Sequence, residues 1–485
     1  MFTSSPSASR VLTISRDLYK LTMQCCVLKY FPDVQVKYLY TNRTPAMKFS
    51  RASIRWLRSQ IDKLANITLS PEELEYLRKT CAYLNEPYLR YMETFHLNPG
   101  KQVHLSFRPI SDTGSDSDLG DIDLQIAGLW VETIPYEIPL LALISECYFR
   151  FMDRDWNHDG QFERAKDKGL KLLEDGCIFS EFGSRRRRDY RTQDLVIQGL
   201  KAAQEEASQK GWKGKLSGTS NVHFAMKHDL PPVGTVAHEW YMGIAAITGD
   251  YENANEASLR LWVGTFGEGV LDVALTDTFG TPNFLKAFSK PIPNFRSPEY
   301  HSATRPSANQ TASNVPAADT LSSTAPPIEP LIQNGSECST RKRTYAQVFT
   351  GVRQDSGDPE QYIKLMRDFY TTQHITERKV IVFSDSLNVD LCLKYRRAAE
   401  EAGFLPTFGV GTFFTNDFVE ASSRKKSVPL NIVIKLSEAG GNPAVKISDN
   451  MGKNTGDRAT VEEVKRKLGY TEREWKEGDE SKRWG

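Results

Sequence analysis

The chain has 485 residues, enough for more than one core, so two domains is the natural expectation. Lys and Arg number 62 against 61 Asp and Glu, and a net charge of +1 offers no bulk attraction to nucleic acid or an anionic membrane. Seven scattered cysteines without a C-x-x-C pair argue against a zinc ribbon or a disulfide framework and for reduced thiols, in a cytoplasmic or nuclear protein. The serine-rich stretch 1–10 has no apolar h-region. The most apolar run, Ile138–Ile144, is far shorter than the roughly 20 residues a bilayer requires. The sequons at Asn42, Asn66, Asn309 and Asn334 are therefore expected to stay unmodified.

Residues 17–30 place Leu18, Leu21 and Cys25 at helical spacing, and 35–41 alternate apolar and polar as a strand does. Residues 53–64 and 70–83 read as helices. The second opens with Ser70-Pro71-Glu72-Glu73, a capping box with proline at the first helical position. Strands are expected at 100–109 and 128–132, an acidic loop at 111–123, and an apolar helix over 138–148. Residues 165–173 and 194–210 again read as helices.

From Cys177 onward an apolar stretch, a polar glycine-containing loop and a helix recur. Val380-Ile381-Val382-Phe383 is the continuous apolar run of a strand covered on both faces. Loops at strand ends leading into helices build the active face of an α/β barrel, and the irregular spacing argues against eight clean units. The expected fold class is α/β: an irregular α/β barrel over 149–429, with an α+β outer domain built from 1–148 and 430–485. Residues 291–343 turn to Ser, Thr, Pro, Ala and Asn without periodicity, and are expected to be a disordered insertion in the barrel domain ending in a solvated Arg341-Lys342-Arg343 cluster. Ile432-Val433-Ile434, the turn Gly440-Gly441-Asn442-Pro443 and 444–448 read as a hairpin, and 459–485 as a charged, partly helical tail.

Taken singly, the loop motifs carry little. Asp355-Ser356-Gly357-Asp358-Pro359 contains only turn formers. Gly409-Val410-Gly411-Thr412 suits a close backbone approach, or backbone amides cradling an anion. The run Arg185–Arg188 suits a solvated face or an anionic substrate. His238, in Gly234-Thr235-Val236-Ala237-His238-Glu239-Trp240, has the chemistry of a proton relay, a metal ligand or a phosphoryl acceptor.

As a collinear set the motifs are far more specific. They are Asp17-Leu18-Tyr19-Lys20, Glu137-Ile138-Pro139-Leu140-Leu141, Glu181-Phe182-Gly183-Ser184-Arg185-Arg186-Arg187 and Gly218-Thr219-Ser220-Asn221. There follow the His238 stretch, Thr276-Asp277-Thr278, Gly351-Val352-Arg353-Gln354-Asp355-Ser356-Gly357-Asp358, Phe383-Ser384-Asp385, Phe408-Gly409-Val410-Gly411-Thr412 and Asn431-Ile432-Val433-Ile434-Lys435-Leu436. The set resembles the nicotinate phosphoribosyltransferase family, of type II phosphoribosyltransferases, from about Asp17 to Gly456 apart from the insertion.

That resemblance implies ATP-coupled synthesis of nicotinate mononucleotide and pyrophosphate from nicotinate and 5-phosphoribosyl 1-pyrophosphate. It implies ATP as co-substrate, Mg²⁺ arriving with polyphosphate, and a homodimer with shared active sites, with no nucleic-acid or membrane partner. By motif position, Phe182 and Tyr19 of the partner subunit stack on the pyridine ring. Arg353, with Arg185 nearby, holds the carboxylate, and Thr235 contacts nicotinate. Gly409, Gly411 and Thr412 cradle the 5-phosphate. Asp355 and Asp385 handle the ribose and the metal-bound pyrophosphate, and no side chain is assigned as a dedicated metal ligand. His238 matches the histidine transiently phosphorylated by ATP, oriented by Asp277 or Glu239. Asp277 is favoured because adjacent residues on a helix do not face each other.

The family usually has threonine before Asp-x-Tyr-Lys, and this chain has Arg16. Relatives selective for nicotinamide carry an aspartate where this chain has Ser220. Such an aspartate would repel a carboxylate, so Ser220 points to the acid substrate. The rival readings are a nicotinamide or quinolinate enzyme, and a catalytically inactive paralogue acting as a scaffold.

Overall fold

The computed structural model describes residues 16–293, 342–450 and 453–470. The serine-rich start, nearly all of the 291–343 insertion with Asn309 and Asn334, and the tail beyond 470 lie outside the described residues.

Strands β1 (Gln35–Asn42), β2 (Phe49–Ser50), β3 (Val103–Pro109) and β4 (Leu119–Leu129) form an antiparallel sheet. There follow β5 (Ile178–Glu181), β6 (Lys215–Thr219), β7 (Val273–Leu275), β8 (Gly351–Gln354), β9 (Val380–Phe383) and β10 (Leu405–Val410), which make a second, wholly parallel sheet in the order β6-β5-β10-β9-β8-β7. After a two-stranded ribbon of β11 (Phe418–Val419) and β12 (Lys426–Ser427), the chain returns to the first sheet as β13 (Ile432–Ala439) and β14 (Asn442–Pro443). There β13 pairs with β1, so the first sheet joins the amino-terminal strands to a late segment. The fold is α/β, as the recurrent strand, loop and helix pattern predicts.

Helices begin where the chemistry of caps places them. Ser70 accepts from the Glu73 amide while Glu73 accepts from the Ser70 amide at 2.9 Å, and Pro71 occupies the first turn. Asp189, Asn221, Asp358 and Asn388 each cap a helix that follows a parallel strand.

Three local expectations are corrected. The acidic stretch expected as a loop runs into the first half of β4, where Ile122, and beyond it Leu124 and Ile126, face the core while Asp121, Asp123 and Gln125 face outward. The strand expected at 128–132 ends at Leu129, and Trp130–Thr133 is a helical turn whose Trp130 amide donates to the Val34 carbonyl. The hairpin after β13 turns at Gly440-Gly441, and its return strand is only Asn442–Pro443. Both glycines have positive φ, +59° and +82°, which two-residue hairpin turns demand.

The helix His238–Thr248 is buried on nearly every side, which explains its lack of an amphipathic stripe. Its Gly243 faces Trp130 so closely that a Cβ would lie 2.4 Å from the indole ring. Trp130 and Trp240 are both fully buried, with ring centroids 6.0 Å apart, so two large side chains fix the helix that begins with His238. Among the described residues no helix is long and apolar enough to cross a membrane.

Candidate active site

Every motif-bearing loop from Phe182 to Thr412 that follows a parallel strand leaves its carboxyl end, where open α/β sheets place ligands. These loops, the start of the helix Leu18–Tyr30 and β13 enclose a cleft of about 160 Å³. Tyr19, Phe182, Arg185, Ser220, His238, Glu239, Arg353, Asp355, Gly409, Gly411 and Thr412 all line it. Thr235, Asp277 and Asp385 do not.

Phe182 is seated by its backbone: its amide donates to the Val410 carbonyl at 2.8 Å. Its ring lies against Gly409, where a Cβ would come within 2.4 Å of two ring carbons. Gly409, expected only as part of a phosphate cradle, is therefore also the gap that admits the aromatic ring. Gly409→Ala is expected to displace Phe182 and weaken a stacked aromatic ligand roughly three- to tenfold, the worth of one stacking contact. Initial-rate kinetics with the aromatic substrate varied would read this as a rise in its KM.

Tyr19 lines the same cleft as Phe182 within one chain. The helix Leu18–Tyr30 docks on its own chain, with the Leu18 amide donating to the Ser220 carbonyl at 2.8 Å, so Tyr19 and Phe182 of one chain face the same cleft.

Thr235 turns its hydroxyl to the Val273 carbonyl at 3.2 Å, while Gly234 and Ala237 present themselves to the cavity. Thr235 itself stands outside the cavity lining. Asp385 accepts from Lys453 at 2.8 Å outside the cleft wall, whereas its neighbours Ser384 and Ser386 line it.

His238 is 5% exposed and makes three close contacts. Its Nδ1 meets the Thr278 hydroxyl at 3.0 Å, and its Nε2 lies 2.9 Å from both Asp355 Oδ2 and Lys446 Nζ. Asp277, expected to orient the ring, stands 3.8 Å from Nε2 and pairs instead with Lys446 at 3.5 Å and with the Ser356 hydroxyl. Asp355, which also accepts from Ser384 at 2.7 Å, is the carboxylate in direct contact. Glu239, the other candidate, is spent on Lys20, the Tyr38 hydroxyl and the Trp130 indole, and does not touch the imidazole.

Burial and then the Lys446 charge push the His238 imidazolium down to about 4, against the pull of Asp277 and Asp355, so the ring is neutral near pH 7. Asp355 would be raised by burial, but the His238 hydrogen bond and then the Arg353 charge hold it well below the usual carboxylate range. The two neighbours of Nε2 favour opposite tautomers. Asp355 accepts a proton from Nε2, while Lys446 donates to its lone pair. Thr278 can donate or accept at Nδ1 and so suits either.

Two buried polar atoms lack protein partners, Arg353 Nε at the cleft and Asp277 Oδ1 just behind His238. Each such atom costs about 1–3 kcal/mol unless a ligand or water satisfies it, which marks this wall as built to be occupied. Arg353 spends Nη1 on the Val236 carbonyl at 2.9 Å. Arg185 stands 3.6 Å from Glu137 and is 45% exposed.

Sequence reasoning missed Lys446 and Thr278 as partners of His238, and Asp17 and Glu137 as cleft residues. Asp17 and Glu137 stood inside quoted motifs and were legible there. Lys446, just beyond the short return strand Asn442–Pro443, stands in none of the motifs.

A model of the nicotinate phosphoribosyltransferase N-terminal domain matches residues 14–145, and one of the nicotinate phosphoribosyltransferase family matches 177–297 and 317–472. A probable nicotinate phosphoribosyltransferase of Schizosaccharomyces pombe is 45% identical over 467 residues, covering 96% of this chain and 98% of the relative. The nicotinate phosphoribosyltransferase of Saccharomyces cerevisiae is 41% identical over 476 residues, covering 97% and 98%. The crystal structure of a putative nicotinate phosphoribosyltransferase from S. cerevisiae superposes with a TM-score of 0.79 over 95% of this chain and 98% of that one. That from Porphyromonas gingivalis, 28% identical, gives 0.74 over 94% and 99%. With both family models matched in order along the same chain and relatives above 40% identity over nearly its whole length, the chain belongs to the nicotinate phosphoribosyltransferase family.

Proposed function

We propose that this cleft joins nicotinate to 5-phosphoribosyl 1-pyrophosphate, forming nicotinate mononucleotide and pyrophosphate in NAD salvage, with ATP spent through a transient phosphate on His238. The observation that carries the reading is the meeting of neutral His238 with Asp355 and Lys446, both at 2.9 Å, in the cavity that also holds Tyr19, Phe182 and Arg185. In the transfer step the pyridine nitrogen bonds to the anomeric carbon as the bond to pyrophosphate breaks, and no proton leaves the nucleophile. The protein's task is then alignment and charge placement. Phe182 and Tyr19 hold the flat ring, and Arg353 and Arg185 take its carboxylate.

In the coupling step the γ-phosphoryl passes from ATP to His238 Nε2, releasing ADP, and water later removes it. Lys446 is placed to draw the phosphoryl oxygens, and Asp355 to stabilise the imidazole once it carries charge. Among the described residues no three ligand side chains gather into a metal cage. Magnesium binds through one or two carboxylates plus substrate phosphates, so Asp355 and Asp385 are the residues that would hold it, and it would neutralise polyphosphate oxygens there. The unpartnered Asp277 Oδ1 behind His238 adds acceptor capacity on that side.

We assign 149–429 to the catalytic barrel and 1–148 with 430–485 to an outer domain, a division supported by the pairing of β13 with β1. The six described cysteines are free and buried, which suits a reducing cytoplasmic or nuclear setting.

Incubation with γ-labelled ATP tests the reading. An acid-labile, base-stable phosphate should map to His238, and stoichiometric label elsewhere would sink it. Arg353→Ala is expected to raise the KM for nicotinate about tenfold or more, with a much smaller change for 5-phosphoribosyl 1-pyrophosphate. Equal losses for both substrates in initial-rate kinetics would remove its carboxylate role.

A further inference from the structure

Glu137 opens the helix Glu137–Phe151 at the floor of the cleft, 7% exposed, and no step described above uses it. Its Oε2 lies 2.6 Å from Lys20 Nζ, and its Oε1 3.6 Å from Arg185 Nη1. Lys20 is fully buried and already has a second carboxylate, that of Glu239, the residue after His238. Two carboxylates around one ammonium leave a surplus negative charge. Glu137, the member that lines the cavity with a second cation beside it, directs that surplus toward Arg185 and the Lys435 side chain of β13, both of which line the cavity too.

We propose that Glu137 is a positioning residue: its carboxylate, anchored by Lys20, aims the Arg185 guanidinium across the cleft and holds a cationic wall of Arg185 and Lys435 in place for the anionic aromatic substrate. The five groups Glu137, Glu239, Lys20, Arg185 and Lys435 together leave one net positive charge, the complement of a monoanionic acid. A guanidinium 45% exposed would sample many rotamers without such an anchor, and fixing it removes an ordering cost from ligand binding.

The same carboxylate governs Lys435. Burial pulls that ammonium down to about 8, and Glu137 is the largest influence that opposes the fall. Arg185, Lys446 and Arg43 also face Lys435, and all three lower it. Glu137 itself stays ionised: burial would raise it, but Lys20, then Lys435 and Arg185, hold it at about 2. Without the Glu137 charge, Lys435 would release its proton at a lower pH, and the cationic wall would fail earlier on the alkaline side.

The inference rests on the reading of the cleft as a nicotinate site, and the experiment separates the two. Initial rates of the full chain are measured at pH 6.5 with each substrate varied in turn, then across pH 6–9. Glu137→Gln should raise the nicotinate KM about tenfold, leave that of 5-phosphoribosyl 1-pyrophosphate within about twofold, and move the alkaline limb to lower pH. Glu137→Asp keeps the charge but withdraws it by one methylene, so it should raise the nicotinate KM while keeping the wild-type limb. In an Arg185→Ala background, Glu137→Gln should add less than about twofold to the nicotinate KM, because the pair acts as a unit.

If both Glu137 variants keep the wild-type nicotinate KM and alkaline limb, Glu137 is only a counter-ion for Lys20 and the proposal falls. Should Glu137→Gln fail to fold, Glu137→Asp decides alone, and an unchanged nicotinate KM overturns the idea. Wild-type protein that forms no nucleotide from nicotinate would instead defeat the functional reading.

Discussion

His238→Ala is expected to lower ATP cleavage on the order of 10³-fold or more while leaving a slow, uncoupled transfer onto nicotinate. Alanine removes the acceptor nitrogen and nothing that grips the pyridine ring. Phe182, Tyr19, Arg185 and Arg353 line the cleft independently of the imidazole. The two readouts are ADP release and nicotinate mononucleotide formation in the same reaction. ATP turnover at the wild-type rate in that variant would end the phosphohistidine role.

The protonation state gives a second check on the same residue. With its imidazolium pushed down to about 4, His238 keeps the lone pair a phosphoryl acceptor needs throughout pH 6–9. Labelling by γ-labelled ATP should therefore not fall between pH 7 and pH 6, as it would for an ordinary histidine titrating near 6.5. The linkage sign follows from the same shift. The unfolded chain binds this proton near pH 6.5 and the folded chain only near 4, so His238 lowers stability as pH falls from about 6.5 toward 4.

Much of the fold could be read from residues because local chemistry decides it. The capping box at Ser70 and the apolar run at Val380–Phe383 stand in the structure where their side chains require them, and the positive φ of Gly440 and Gly441 places the turn inside the expected 440–443. β4 was illegible for a definite reason. Its outward face carries Asp121, Asp123 and Gln125, and acidic residues beside glycine resemble a loop until the partner strands β1 and β3 are known.

The site divides in the same way. Loops at the carboxyl ends of parallel strands converge by topology, so Phe182, Ser220, Arg353, Asp355 and Gly409 reach one cavity as their motifs imply. Which of two strand-end aspartates touches His238 depends on how far β7 and β8 project, which no motif encodes. The same holds for Lys446, delivered by the segment after a hairpin, more than two hundred residues from the imidazole it meets.

The choice between the two aspartates has a measurable outcome. Asp355→Asn keeps the shape but offers Nε2 a neutral amide, and it removes the charge that would stabilise a phosphorylated ring. It is expected to slow His238 phosphorylation by about 10²–10³-fold, the scale of losing one preorganised electrostatic partner at a reacting centre. Asp277→Asn leaves the 2.9 Å contact between Asp355 and Nε2 intact, so phosphorylation should drop only about tenfold. Its larger effect should fall on stability. Asp277 is 1% exposed and is the carboxylate nearest Lys446, so its loss leaves a buried ammonium poorly balanced and should lower the thermal midpoint. Asp355, with a side chain 29% exposed, should change that midpoint much less. Rapid-quench labelling and thermal melts on both variants decide the matter. If Asp277→Asn proves the slower of the two in phosphorylation, the imidazole is oriented from behind by Asp277. Asp355 would then belong to the substrate alone.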